Sequence, residues 1–565
     1  MSTIQQIYAR EVLDARGIPT IECTLWLDDG RSVMTTVPSG TSTGKYEAKE
    51  LRDNDSNRMV GKGVLKAVEN INTILGPQLV GDDPTNQTDL DQKMVNLDGT
   101  KDKSKLGANA ILAISQAILK AGALSSNLPL YKYIQQKYQI TQQMDIPTCV
   151  FTMIEGGKHG AENLDVQEFE IIPATHVNFP ESLNMAVTIY NKLKEVLIMK
   201  GAIHSTGLNG GFTPNLFNNT DAFEIIIESI KATPYTFAQD VFLGADMSAS
   251  SFFENGKYML KDKSQAYSSK DLAKYYKSLK ELYHVFYIED PYQEDDTNAW
   301  KEITLDIGAT SMIVGDSLLV TSLEKTTKAI ADKVCNSVLV KPNQTGTVSE
   351  TIQVIKLAKE SGWQAIVSHR SGGTIDDFVA DLAVGTGAQY VKFGPPNRGE
   401  RIAKYNRLLT IYNELAYDAQ QLAAAPVAQA ETAETVTQQP AVEATPEQPV
   451  QEVTQTPVET TTPEAPQPVV EETIQEPQPV VATPEPTVVE TPLPATPQPV
   501  AVETPLPATP QPVAVETPLP ATPQPVTAPI AIETPPLEIP GENSAPIVLS
   551  AEGEAVATPA ENKQA

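Results

Sequence analysis

The sequence predicts an α/β protein: a small N-terminal α+β domain, then a barrel of parallel strands alternating with helices, then a long C-terminal segment with no core of its own. Three observations predict it. Residues 1–135 mix strand-like and helix-like hydrophobic patterns, residues 136–422 carry short apolar runs at helix-sized spacing, and the composition breaks at Leu422.

In the first segment, Thr20-Ile-Glu-Cys-Thr-Leu-Trp26 alternates as a half-buried strand does, while Lys105 to Lys120 repeats its apolar residues with a helical period. From about Ile146 the pattern changes. Val241 to Asp246, Val285 to Glu289, Met312 to Asp316, Val338 to Lys341, Ala365 to His369 and Gln389 to Lys392 are short apolar runs, each closed by a polar residue. Their polar ends lie 43, 27, 25, 28 and 23 residues apart, the spacing of repeated strand-helix units. A parallel barrel brings the C-terminal ends of its strands to one rim, so six polar side chains are expected to converge there.

The tail, 423–565, holds 30 of the 44 prolines, 20 acidic residues, one base (Lys563) and no aromatic residue. It has too little apolar surface to offset chain entropy and is expected to be disordered. Thr491-Pro-Leu-Pro-Ala-Thr-Pro-Gln-Pro-Val-Ala-Val-Glu503 recurs from Thr504 and in part from Thr517, a period of 13. Such proline density favours polyproline II, each unit extending roughly 40 Å at about 3.1 Å per residue. A solvated spacer and a docking arm with an unidentified partner both fit this composition.

Of the net charge of −29, the tail carries −19 and residues 1–422 carry −10. That balance argues against nucleic-acid binding, which needs clustered Lys and Arg. Cys23, Cys149 and Cys335 are odd in number and widely spaced, which suggests neither a disulfide framework nor a zinc site and fits a reducing cytoplasm. The N-terminus has no basic segment leading into a long apolar one, and no uninterrupted run of about 18 apolar residues occurs. Cytoplasmic localisation is expected; exposure at a cell surface would need a route that no signal here encodes.

Asp246, Glu289 and Asp316 would bring three carboxylates to neighbouring strand ends. Carboxylates so grouped repel unless a hard cation neutralises them, and with no Cys or His in the group magnesium is the expected ion. Lys341, His369, Arg370 and Lys392 add positive charge opposite, an arrangement suited to a small, multiply anionic substrate. Lys341 has two readings, a base that takes a proton from carbon or a salt-bridge partner of one acid.

Val37-Pro-Ser-Gly-Thr-Ser-Thr-Gly44, Ser104-Lys-Leu-Gly-Ala-Asn-Ala110, Gln167-Glu-Phe169, Ser368-His-Arg-Ser-Gly372 and Arg401-Ile-Ala-Lys-Tyr-Asn406 resemble the signature segments of the enolases, which dehydrate 2-phospho-D-glycerate to phosphoenolpyruvate in glycolysis. The resemblance runs from about Ile4 to Leu415. It implies an eight-stranded α/β barrel behind a small N-terminal domain, a homodimer, and two Mg²⁺ ions, one delivered with substrate. By position it assigns Asp246, Glu289 and Asp316 as metal ligands, with Ser39 holding the second ion. Lys341 matches the base, Glu168 one of two glutamates flanking the leaving hydroxyl, and Lys392 the contact to the substrate carboxylate. Arg370 and Ser371 match phosphate contacts, His369 lies beside them, and His159 sits on a mobile loop that closes over substrate. Gly40-Thr-Ser-Thr-Gly-Lys45 also looks like a P-loop, but it has one residue too few between its glycines and Tyr46 where a Ser or Thr belongs.

The chain departs from the family in one segment above all. Gly-Asp-Glu-Gly-Gly-Phe becomes Gly207-Leu-Asn-Gly-Gly-Phe212, so Asn209 replaces the glutamate that protonates the departing hydroxide. Ser317, Gly373 and the stretch Gly157-Lys-His-Gly160 also differ from the usual residues. The expectation is an enolase-type lyase slowed or impaired at Asn209. The alternative is a catalytically inactive, enolase-derived binding protein, surface-associated through its tail.

Overall fold

The computed structural model describes residues 2–40 and 44–424. Apart from its first two residues, which close the last helix, the expected tail with its repeats lies outside the described residues, as do Thr41, Ser42 and Thr43 of the P-loop-like stretch.

Strands β1 (Ile4–Leu13), β2 (Pro19–Leu27) and β3 (Ser32–Thr36) form an antiparallel sheet in that order. Its alternation works as expected of a half-covered sheet: Ile21, Cys23 and Leu25 share a core with Ile111, Ile114 and Ile118 of the helix Ala108–Ser125. That helix is long and apolar enough to cross a membrane, yet 83% of it is buried inside the fold, which accounts for its composition.

Then come β4 (Thr148–Glu155), β5 (Glu168–Pro173) and β6 (Val241–Asp246), a separate ribbon of β7 (Phe253–Glu254) and β8 (Lys257–Tyr258), and β9 (Val285–Glu289), β10 (Met312–Gly315), β11 (Ser337–Val340), β12 (Gln364–Ser368) and β13 (Tyr390–Lys392). All but the ribbon close into an eight-stranded barrel, β4-β5-β6-β9-β10-β11-β12-β13. All six expected runs are barrel strands.

The expectation of an all-parallel barrel needs correction. Strand β5 runs antiparallel to both β4 and β6, while the other neighbours are parallel. The link 156–167 between β4 and β5 contains only a single 3-10 turn, Gly157–His159, and so has no crossover helix to carry the chain back for a parallel strand. The reversal brings the beginning of β5, not its end, to the rim.

Inside the barrel, the period of two stacks side chains in layers. Val150, Ile172, Tyr287, Val314, Leu339 and Ile366 belong to one compact apolar cluster that plugs the interior. Two residues nearer the rim the same faces carry Glu170, Glu289, Asp316, Lys341 and Ser368. The intervening residues, such as Phe169, Ala245 and Ile288, point outward into the larger core beneath the helices. A dry floor and a polar top layer follow from one alternation.

Candidate active site

A cavity of about 220 Å³ opens at this rim. Asp246, Glu289, Asp316, Lys341, His369 and Lys392, the six strand-end residues, all line it, with His159, Glu168, Arg370 and Ser371. Gly44, Lys45 and Glu47 of the N-terminal domain form part of its wall.

Lys392 occupies the centre. Its Nζ lies 2.7 Å from Glu289 Oε2, 2.9 Å from Glu170 Oε1, 3.0 Å from Glu168 Oε2 and 3.6 Å from Asp246 Oδ2. Burial alone would strip its proton, but these carboxylates hold it charged, well above the ordinary lysine range. The acids divide in response. Burial raises Glu170 and, with the repulsion of Asp246, Glu289, whereas Glu168 falls well below the usual range because Lys392 and a hydrogen bond from His159 outweigh its burial. Tyr287 supports the cluster from below, donating its hydroxyl to Glu289 Oε2 at 2.6 Å.

Lys341 Nζ stands 2.5 Å from Asp316 Oδ2, so of its two readings the structure displays the ion pair. Burial opposes charge on Asp316, but Lys341 carries the carboxyl below its ordinary range. Gln344 donates to the other oxygen of Asp316 at 3.0 Å, and Gln167 donates to Asp246 Oδ2 at 3.0 Å.

The expected metal ligands Asp246, Glu289 and Asp316 come from adjacent strands, with Asp246 and Glu289 paired in register. Their all-oxygen donor chemistry suits a hard divalent cation. Among the described residues, however, no three Asp, Glu, His or Cys side chains are arranged to hold a metal as they lie. Asp316 is instead paired with Lys341, and Glu289 with Lys392. Ser39, expected to hold the second ion, lies outside the cavity lining. Its hydroxyl donates to Asp14 Oδ2 at 2.8 Å and accepts from Arg16 at 2.7 Å, while its backbone bonds in both directions with Gly372.

On the β4–β5 side, His159 Nδ1 lies 3.0 Å from Glu168 Oε1 and its Nε2 lies 3.3 Å from Ser371 Oγ. Asn209 sits one layer behind, fully buried. It donates from Nδ2 to Glu168 Oε1 at 2.9 Å and accepts at Oδ1 from Arg401 at 3.0 Å. Its loop is pinned by Glu155, which accepts the N–H groups of Asn209 at 3.1 Å and Gly211 at 2.6 Å. His369 is held well below its ordinary range by burial and by Arg401, so the ring is neutral, donating Nδ1–H to the Lys392 carbonyl at 2.8 Å. Arg370 meets Glu47 at 3.0 and 3.2 Å.

With this geometry in hand, the chain compares closely with one family. Residues 4–134 match the enolase N-terminal domain, and residues 143–429 match the enolase C-terminal TIM barrel domain. The chain belongs to the enolase family.

For an enolase-family barrel, several supporting residues were missing from the sequence reading. Glu170 had a visible signal, since it follows Glu168 by two on an alternating run and must share its face. Gln344 stands three residues beyond Lys341, but nothing in its surroundings marks it as a partner of Asp316. Glu47 left no signal, and Arg401, though it opens a signature segment, gave no hint of its partner, because each reaches the enolase site across more than 30 residues of sequence, to Arg370 and its loop.

Proposed function

We propose that this chain dehydrates 2-phospho-D-glycerate to phosphoenolpyruvate, the reaction of its lyase family. The observation that carries the reading is the opposition, across one small cavity, of Lys341 to the His159–Glu168 pair, with Arg370, Ser371 and Lys392 around them. Lys341, in its neutral form and released from the ion pair with Asp316, can take the proton from C2 while the other side meets the hydroxyl leaving C3. Arg370 and Ser371 are suited to the phosphate, Arg370 through its fork of donors, and Lys392 to the carboxylate. Mg²⁺, the ion this family generally uses, would be held by Asp246, Glu289 and Asp316 and would supply positive charge for the enolate that forms on proton removal. Homodimerisation and a cytoplasmic setting belong to the same proposal.

The test is the ultraviolet absorbance of phosphoenolpyruvate formed from 2-phosphoglycerate with Mg²⁺ present. Wild type should give a rising trace and Lys341→Ala a flat one. If Lys341→Ala leaves the rate unchanged, Lys341 is not the base. A second reading, an inactive binding protein, is favoured by one observation: Asn209 stands where the family carries its acid and has no proton to give. A flat wild-type trace restored by Asn209→Glu would establish that reading.

A further inference from the structure

Loss of hydroxide from carbon is slow unless a proton reaches the departing oxygen, and general acids contribute roughly 10²–10⁴-fold to such steps. Around the His159 side of the cavity most proton sources are already excluded. Asn209 has none. Glu168 is kept ionised by Lys392 and His159, so it is an acceptor. The only proton on the neutral His369 ring is committed to the Lys392 carbonyl.

Of the groups left in this part of the lining, His159 is the one held directly against Glu168 and Asn209, and its surroundings define how it is held. Arg401 donates to Asn209 Oδ1 at 3.0 Å, which fixes the amide so that its NH₂ group faces Glu168 and His159. The NH₂ nitrogen lies 2.9 Å from Glu168 Oε1 and 3.1 Å from His159 Nδ1, and that Nδ1 is itself 3.0 Å from the same oxygen. Three polar atoms thus form a nearly equilateral triangle. Only one of them, the carboxylate oxygen, is an obligate acceptor, so it takes a hydrogen from both nitrogens. With Nδ1 engaged by Glu168, Nε2 is the ring nitrogen left to act on a substrate. That nitrogen points away from Glu168 toward Ser371 Oγ at 3.3 Å, and the residue lines the cavity.

We propose that His159 is the general acid of this chain, delivering its Nε2 proton to the leaving hydroxyl, with Glu168 and Asn209 as the positioning residues that hold the ring. The proposal rests on the dehydration reading above. Lys341 takes the C2 proton, and the C–H electron pair becomes the C2=C3 bond. The C3–O bond breaks, its electron pair leaves with oxygen, and the His159 proton converts hydroxide to water. Neutral His159 and protonated Lys341 then return to their starting states through solvent. Asparagine at 209 suits this arrangement. A glutamate there would place a second carboxyl within hydrogen-bond reach of Glu168, whereas the amide satisfies Glu168 and leaves the histidine as the proton carrier.

The experiment separates the two halves of the reaction in the full-length, Mg²⁺-loaded protein. Exchange of the 2-phosphoglycerate C2 hydrogen with deuterated solvent reports proton removal, and phosphoenolpyruvate absorbance reports dehydration. His159→Asn should exchange at close to the parental rate while dehydrating roughly 10²–10⁴-fold more slowly. Asn209→Glu added to His159→Asn should recover much of the lost dehydration by supplying a different acid. Parental dehydration by His159→Asn overturns the proposal, and so does an equal loss of both steps, which would mark His159 as a binding or structural residue. A wild type that neither exchanges nor dehydrates defeats the activity reading itself, and this proposal with it.

Discussion

At the scale of single residues, Lys392 decides whether the barrel interior is tolerable. One ammonium group serves Glu168, Glu170, Glu289 and Asp246, all buried. Removing one partner from a buried ion cluster typically costs about 3–5 kcal/mol, because the remaining charges are left uncompensated. Lys392→Met should therefore lower unfolding free energy by about that amount in urea titrations and abolish activity. Glu155 gives the pH prediction. Burial pushes its carboxyl from 4.5 up to about 7, even though it accepts two backbone N–H groups. The folded chain then binds this proton more tightly than the unfolded chain. Its contribution to stability is complete below pH 4.5 and is lost as pH rises through 7, a swing of about 3 kcal/mol. Glu155→Gln should flatten the stability profile over that interval in chemical denaturation at a series of pH values. The sequence made the strand-end acids and lysines legible because each closes an apolar run. It left Glu155 unmarked, since its role depends on the backbone of a loop more than 50 residues away.

At the scale of elements, the helices are closed by local chemistry that sequence carries openly. Ser268 accepts from the Asp271 N–H while the Asp271 side chain accepts from the Ser268 N–H, a capping box on the helix Ser269–Tyr283. Ser268→Ala should cost about 1 kcal/mol in thermal or chemical unfolding and leave catalytic constants unchanged, the helix start lying away from the cavity lining. Strand existence was legible wherever an apolar run ended in a polar residue, which holds for β6 and β9 through β13. Strand direction was not. β5 begins with its polar residue, Glu168, and the run Glu-Phe-Glu-Ile-Ile-Pro reads equally well both ways until the shortness of the link before it is taken into account. The three metal-ligand candidates were likewise legible at the ends of adjacent strands, but the ion pairs that two of them make, with Lys341 just after β11 and Lys392 of β13, were not, because pattern alone does not rank such competing attractions.

At the scale of the molecule, composition breaks at Leu422, after which prolines crowd the sequence and aromatic residues cease. The buried hydrophobic residues of the described structure run from Ile4 to Ile411, all ahead of the proline-rich segment. A chain ending at Gln429, the last residue of the family match, should keep the thermal midpoint and turnover of the full-length protein, as calorimetry and the absorbance assay would register. How the N-terminal domain meets the barrel was beyond sequence reading: Glu47 reaches Arg370 across 323 residues, a separation at which no periodic pattern survives. The reversed strand has a last consequence, for transplantation. Because β5 starts at the rim, the peptide from Glu155 to Glu168 holds the loop anchor, the histidine and its carboxylate on one uninterrupted stretch. Grafted as a single cassette into a sister barrel with an asparagine and an arginine at matching stations, it should carry its proton-handling habit to the new host.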